Sequence, residues 1–149
     1  MANALGIVAV NDVVSLFVTQ WNQTNTDNVT PKRIVSSLDV PWEDIDQSPA
    51  SDTIYVKLDI ETVETSIYAI NFWHTIAITV EVIAPKLNNL TYKASPHFNK
   101  LVQEVTRIVA ANPRDPTYGY LIYKGVTTRY NKDKGVYLGS VDVEMLKVE

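Results

Sequence analysis

The first pattern along the chain is helical. From Val10 to Trp21 apolar residues return every three or four positions, the spacing of an amphipathic helix with one face on a core. Asn11 or Asp12 is the expected N-cap, because a side-chain oxygen there can accept a hydrogen bond from a backbone N–H of the first turn. The apolar stripe of this predicted helix comprises Val10, Val13, Val14, Phe17 and Trp21.

A second helix is predicted between Ser95 and Asn112. Ser95 and Pro96 form an N-cap and first-turn pair, and Pro113 ends the pattern because proline cannot continue a helix. Burying the six apolar side chains of its stripe stabilises by about 9–18 kcal/mol, which does not exceed the cost of ordering the segment. The helix therefore needs a sheet beneath its stripe, which comprises Phe98, Leu101, Val102, Val105, Ile108 and Val109.

Four stretches have the character of strands. Thr53–Ile60 alternates strictly between apolar and polar residues, and Phe72–Ile83 continues this two-residue period over a longer stretch. Tyr118–Tyr130 and Val136–Val148 are rich in β-formers and flank a polar, glycine-containing turn, which predicts a long hairpin. The apolar phase of the last strand changes after Met145, so we expect a β-bulge or strand end there.

Polar segments separate these elements. Residues 22–30 hold one apolar side chain in nine and predict a mobile loop. Thr30 and Pro31 resemble an N-cap pair that opens a short helical turn through Leu38. Residues 39–52 carry five carboxylates and no basic residue, which predicts a second exposed loop, the acidic loop.

The order of elements predicts one α+β domain over residues 1–149. We expect a mostly antiparallel sheet of four or more strands, two main helices packed on one face of it, and a long C-terminal β-hairpin. The apolar stretch 1–18 lacks a basic flank and is too short to cross a bilayer, so neither a signal peptide nor a membrane anchor is expected.

The amino-acid composition limits the kinds of functional site that the chain can contain. Of the 149 residues 46% are hydrophobic and 20% charged, as in an ordinary globular domain, and the lack of cysteine excludes disulfides, thiolate catalysis and cysteine zinc sites. His74 and His97 do not have metal-ligand spacing, and His74 is expected to be a core residue of a strand. We therefore predict no catalytic residue, no metal ligand and no cofactor, and the protein is not expected to be an enzyme.

One pair of carboxylates is an alternative to this prediction. Asp59 and Glu61 on one face of a strand would stand roughly 7 Å apart, a separation that suits acid and base catalysis in some glycosidases. Tyr55 and Lys57 precede them at the same two-residue spacing, so an ordinary solvated face is the stronger interpretation.

The charges are divided unevenly along the chain. Residues 1–83 hold three basic and eleven acidic residues, a balance of −8, whereas residues 84–149 hold ten basic and six acidic residues, a balance of +4, which together give the net charge of −4. Two flanks of opposite sign let copies associate head to tail, and such an interface generates a ring when the rotation closes. The alternative is that folding intermixes the two sets of charges on one surface.

Tyrosines accompany the basic residues of the hairpin. Aromatic and cationic side chains together can anchor a protein–protein interface, or they can stack bases while the cations neutralise phosphates. Tyrosine is also simply a good strand former, which is the third interpretation. The residues are Tyr118, Tyr120, Tyr123, Tyr130 and Tyr137, beside Lys124, Arg129, Lys132 and Lys134.

A resemblance to a known family rests on the order of these elements. The strand Thr75–Ile83, the helix Phe98–Val109 and the hairpin ending at Gly139–Met145 follow one another as in small tail-terminator or tail-completion proteins. The chain resembles these proteins of long-tailed phages and archaeal viruses, and the helix Val10–Trp21 fits the family as well. The family has no invariant catalytic or binding motif, so element order and periodicity carry the resemblance.

The resemblance implies a structural protein of a virion, without a cofactor. It implies a homo-oligomeric ring, typically a hexamer, that caps the tail tube and meets the head-proximal connector. The partners would be further copies, the tail tube protein and the connector proteins, with no membrane and with nucleic acid only as DNA passing through the ring. The candidate interface residues are Tyr120, Tyr123, Arg129, Lys132 and Lys134 on the hairpin and Glu43, Asp44 and Asp46 on the acidic loop. The alternative function is a nucleic-acid binding module that uses the tyrosine-rich, basic hairpin.

Overall fold

The computed structural model describes residues 2–24, 30–42, 52–65, 72–85, 96–115, 119–131 and 135–148. Two helices and six strands are present in this part of the chain, and the α+β fold class is confirmed. In chain order the elements are α1 (Ala2–Thr24), β1 (Arg33–Ser36), β2 (Thr53–Thr65), β3 (Phe72–Pro85), α2 (Pro96–Ala111), β4 (Arg114–Asp115), β5 (Gly119–Asn131) and β6 (Val136–Val148).

The strands form one sheet in the order β1-β2-β3-β6-β5-β4. The β1–β2 pair is parallel and every other pair is antiparallel, so the predicted sheet type is confirmed. Strands from the first part of the chain build one half of the sheet, and strands from the last part build the other. The two halves meet where β3 pairs with β6, from Trp73 opposite Val148 to Pro85 opposite Val136.

Both helices pack on one face of the sheet, as predicted. Their apolar stripes and the alternate residues of β2, β3 and β6 form one buried cluster, since residues two apart on a strand point to the same face. The opposite face of the sheet, called the helix-free face below, carries a smaller buried cluster at one end. That smaller cluster comprises Tyr55, Ile83, Val136 and Leu138, with Val35, Val40 and Trp42 packed against it.

Helix α1 begins well before the predicted start. The stripe from Val10 to Trp21 is buried as expected, but the helix already includes Ala2, and Asn11 is an exposed residue within it. The N-cap prediction at Asn11 or Asp12 is therefore wrong. The preceding stretch is apolar and contains good helix formers such as alanine and leucine, so nothing in it stops the helix.

Residues 33–36 form a strand, so the predicted helical turn from Thr30 through Leu38 is wrong. The β-branched residues Ile34 and Val35 extend beside Ile54 and Tyr55 in parallel register, where a strand neighbour satisfies their backbone groups. A turn follows only after Ser36, whose carbonyl oxygen accepts a hydrogen bond from the backbone N–H of residue 40 at 3.1 Å. Most of the two predicted loops, 25–29 and 43–51, lies outside the described residues.

The C-terminal hairpin is confirmed, but its irregularity lies in the other strand. Strand β6 runs in unbroken register beside β3 as far as Val148, and Leu146 pairs with both Thr75 and Tyr120, so the bulge or strand end expected after Met145 is wrong. The change in the apolar pattern after Met145 means only that the apolar side chain of Leu146 lies on the helix-free face. The register shifts instead in β5, between Tyr123 and Gly125, and a second shift lies in β2 between residues 58 and 60.

Glycine at position 139 allows α2 to approach the sheet. A Cβ atom there would lie 3.0 Å from Cγ2 of Val102 and 3.1 Å from Cζ of Phe98. We expect Gly139→Ala to lower the free energy of unfolding by about 1–3 kcal/mol, because close-packed interiors resist added atoms. Urea denaturation measures the loss. In combination with Val102→Ala the loss should be smaller than the sum of the two single losses, and strict additivity would contradict this account.

Candidate interaction surface

Strand β5 leaves part of its edge uncovered. It pairs with β6 along its length, whereas β4 pairs only with Gly119 and Tyr120. From Ile122 to Arg129, a stretch called the β5 edge below, the described part of the chain supplies no second neighbouring strand. Apolar side chains cluster on and beside this edge with 39–45% of their surface exposed, namely Tyr120, Ile122, Tyr123 and Val126.

Tyr120 and Tyr123, two of the predicted interface residues, are both exposed on β5 but on opposite faces. Tyr123 pairs with Val143, which is buried beneath the helices, whereas Tyr120 pairs with Leu146 on the helix-free face. The guanidinium of Arg114 lies 5.4 Å from the ring centre of Tyr120, within cation–π distance. The two rings therefore do not form one platform on which successive bases could stack.

Two other tyrosines of the hairpin serve the core. Tyr137 is buried, Tyr130 is half-buried, and their ring centres lie 5.0 Å apart. The ring of Phe98 on α2 lies 5.5 Å from that of Tyr137, so an aromatic row joins the helix to both arms of the hairpin. Tyr130 and Tyr137 therefore contribute to the packing of the core. Tyr118 lies outside the described residues.

Arg129, a third predicted interface residue, is exposed and anchored to the helix-free face. One guanidinium nitrogen donates to the Ser140 hydroxyl at 3.2 Å, and the other lies 3.9 Å from a carboxylate oxygen of Glu81. Ser140 in turn donates to the second oxygen of Glu81 at 2.7 Å. Glu81 was not singled out in the sequence, although one carboxylate within an apolar strand is a signal for such a paired group.

A second polar group lies at the centre of the helix-free face. The hydroxyl of Thr79 donates to a carboxylate oxygen of Asp59 and also lies 3.3 Å from an oxygen of Asp142. The ammonium of Lys57 is 3.7 Å from the other oxygen of Asp59. The alternative of an acid and base pair requires Asp59 and Glu61 to lie on the same face of the strand. The register shift at Asp59 interrupts the two-residue alternation that would place them there.

The described part of the helix-free face carries charges of both signs. Its carboxylates belong to Asp59, Glu81, Asp142 and Glu144, and its cations to Arg33, Lys57, Arg114 and Arg129, as the strand registers place them. The balance of charge on this face therefore neither attracts nor repels phosphate groups strongly.

The sheet retains part of the uneven division of charge along the chain. Strands β1, β2 and β3 come from the acidic first part of the chain, and β6, β5 and β4 come from the basic last part. The ion pair between Glu81 and Arg129 crosses the boundary between the two halves. The described strands keep only a bias of charge: β1 to β3 contain four acidic and two basic residues, and β4 to β6 contain three acidic and four basic residues.

The remaining predicted residues have different outcomes. Lys132, Lys134, Glu43, Asp44 and Asp46 lie outside the described residues, so their interface role stays a prediction. His74 is fully buried in β3, as expected of a core residue. Among the described residues no cluster of three or more histidine or carboxylate side chains is placed to hold a metal ion. No helix among them combines the length and the apolar character needed to cross a membrane.

A pocket of about 260 Å³ opens between the end of α1 and strand β1. Val18, Trp21, Pro31 and Ile34 give it a mainly apolar lining, to which Thr30, Lys32 and Arg33 add polar groups. The described residues that line this pocket include no carboxylate and no histidine.

Comparison with known proteins shows the fold. No protein family and no curated protein matches the chain. Among solved structures the chain is similar to one from the virion of a native gene transfer agent particle, with a TM-score of 0.50 and 12% sequence identity. The similarity covers 85% of this chain and 89% of that one, so it extends over most of the fold.

Proposed function

We propose that the chain is a structural protein of a virion, and specifically a tail terminator or tail-completion protein. Copies of it would form a ring, typically a hexamer, that caps the tail tube and meets the head-proximal connector. The fold shared with a chain of a gene transfer agent virion supports this proposal, and so does the order of elements discussed above. The function needs no cofactor and no catalytic residue.

The observation that carries the proposal is the fold shared with a chain of the gene transfer agent virion, and a bias of charge across the sheet supports the ring. Strands β1 to β3 contain four acidic and two basic residues, whereas β4 to β6 contain three acidic and four basic residues. A patch of one sign attracts a patch of the other sign and repels its own kind, which favours head-to-tail association of identical subunits. Head-to-tail association with a closing rotation gives a ring.

The nucleic-acid binding module is the weaker candidate. Such a module needs stacking rings on a common face together with cations, whereas Tyr120 and Tyr123 lie on opposite faces.

Measurement of the assembly state tests the proposal. We expect light scattering and particle imaging of the purified protein, at high concentration and moderate salt, to show closed rings or rings seated on added tail tubes. A protein that stays monomeric under these conditions and does not add to tail tubes would refute the proposal. Binding to an oligonucleotide that falls steeply with salt, and that Tyr120→Ala or Tyr123→Ala abolishes, would favour the alternative instead.

A further inference from the structure

Two strand edges are open in the described part of the chain, and they lie on opposite sides of the sheet. The first is the β5 edge, Ile122–Arg129. The second is in β2, because β1 pairs only with Thr53–Val56 and the last bond on that side joins the backbone N–H of residue 58 to the Ser37 hydroxyl at 3.4 Å. Residues Ile60–Thr65, called the β2 edge below, have β3 on one side and no neighbouring strand on the other within the described residues.

Open strand edges pair readily with other strands, because their backbone groups lack a partner. Both edges also expose apolar side chains that a neighbouring strand would cover. Ile60 is 65% exposed, and Ile122, Tyr123 and Val126 are each about two-fifths exposed. Ile60 lies on the helix-free face, since it pairs with Ala77 between the buried residues 76 and 78.

The charged residues of the two edges determine which edges can pair. The sequence of the β5 edge contains Lys124 and Arg129 and no acidic residue, whereas the sequence of the β2 edge contains two glutamates and no basic residue. Two β5 edges would bring like charges together, and so would two β2 edges, which is unfavourable for strands side by side. Only the combination of a β5 edge with a β2 edge brings opposite charges together.

The two bulges restrict where pairing can take place. A bulge leaves an extra residue out of the ladder and bends the strand, which is one way in which proteins prevent uncontrolled edge pairing. Asp59 occupies the bulge next to the β2 edge, and Lys124 occupies the bulge within the β5 edge. The unbulged stretch of β5 that begins at Val126 is therefore the part of its edge best suited to a neighbour.

We propose that the β5 edge of one copy pairs with the β2 edge of the next copy, so that the sheet continues from subunit to subunit. The pairing is antiparallel, because β2 and β5 run in opposite directions within one sheet and the next copy continues that sheet in the same orientation. The next copy is displaced along the strands, because at the height of Val126–Arg129 its own β1 already covers β2. The contact joins two different edges, so it leads to a ring or a filament and not to a closed dimer. That the contact closes into a ring, and does not continue as a filament, rests on the proposed function.

Cysteine cross-linking tests the contact, because the natural chain contains no cysteine and gives no background. We expect a variant carrying both Ile60→Cys and Thr127→Cys, two exposed positions on the helix-free face, to form a ladder of covalent oligomers when assembled protein is treated with a short bis-maleimide. Each single-cysteine variant is the matched control and should remain uncross-linked. Ladders from either single variant, or assembled rings of the double variant that do not cross-link, would overturn the proposal.

A charge series at one exposed position provides a second measurement. Thr127 lies on the β5 edge, so Thr127→Glu would face the acidic β2 edge whereas Thr127→Lys would not be repelled. We expect the glutamate variant to assemble about tenfold more weakly than the lysine variant, with equal stability of the two monomers in urea. Equal assembly of the two variants would contradict the pairing. Rings without cross-links or charge sensitivity would refute this contact alone, whereas the lack of any ring would refute the proposed function.

Discussion

Replacing Arg107 with alanine is expected to lower the free energy of unfolding by about 3 kcal/mol or more, within the 3–5 kcal/mol range for a broken buried ion pair. The carboxylate of Glu104, one helical turn earlier on α2, is 1% exposed, and one of its oxygens accepts a hydrogen bond from the Arg107 guanidinium. Its other oxygen is buried and has no hydrogen-bond partner among the described residues. Without Arg107 the buried negative charge would lose this compensation. Urea denaturation measures the effect.

Two further variants show whether the ion pair is the cause. Lys100→Ala removes the same charge from an exposed position of the same helix, and we expect it to change the free energy of unfolding by less than about 0.5 kcal/mol. The double variant Glu104→Leu with Arg107→Ala replaces the buried carboxylate with an apolar side chain and should recover most of the loss. Similar losses for Arg107→Ala and Lys100→Ala would show that the pair contributes nothing.

Truncating Phe98 to alanine is expected to cost about 3–5 kcal/mol, the range for deleting a large aromatic side chain from a packed core. Phe98 is fully buried, contacts the site of Gly139 and packs on Tyr137, whose ring packs on Tyr130 in turn. The loss would therefore weaken the attachment of α2 to the hairpin as well as leave a cavity. Thermal and urea unfolding measure the change in stability.

A smaller replacement and an exposed control accompany this prediction. Phe98→Leu retains most of the buried volume and should cost clearly less than the alanine variant. Tyr123→Ala removes an aromatic ring that is already partly exposed, so its effect on monomer stability should be much smaller. If Phe98→Ala and Tyr123→Ala were equally harmful, burial of Phe98 beneath the helix would not explain its contribution.

Periodicity predicted the parts of the fold that bury a regular face. The stripe of α2 and the alternation of β3 are strong because each residue of one face enters the same core. Strand β1 could not be predicted in this way, since Arg33–Ser36 is short and is held by its parallel neighbour Thr53–Val56, with which it shares no local pattern. The start of α1 was missed because an apolar stretch without a polar cap gives no boundary signal.

The candidate surface was predictable in residue type but not in arrangement. Tyr120 and Tyr123 were selected from the sequence, and both are exposed. Their separation onto two faces follows from their odd spacing along one strand, which only the register with β6 makes certain. The contact of Arg129 with Glu81 joins residues far apart in the chain, and such contacts depend on which strands become neighbours, information that local spacing does not contain.

The position of β6 between β3 and β5 has a consequence for biosynthesis. The ribosome completes β6 after the other seven elements, yet β6 is the strand that joins the two halves of the sheet. Until it emerges, β3 and β5 each lack a central neighbour, and the nascent polypeptide exposes apolar surface that invites aggregation. Folding is therefore expected to finish only after translation of this segment, and a truncation before Val136 should yield an insoluble product.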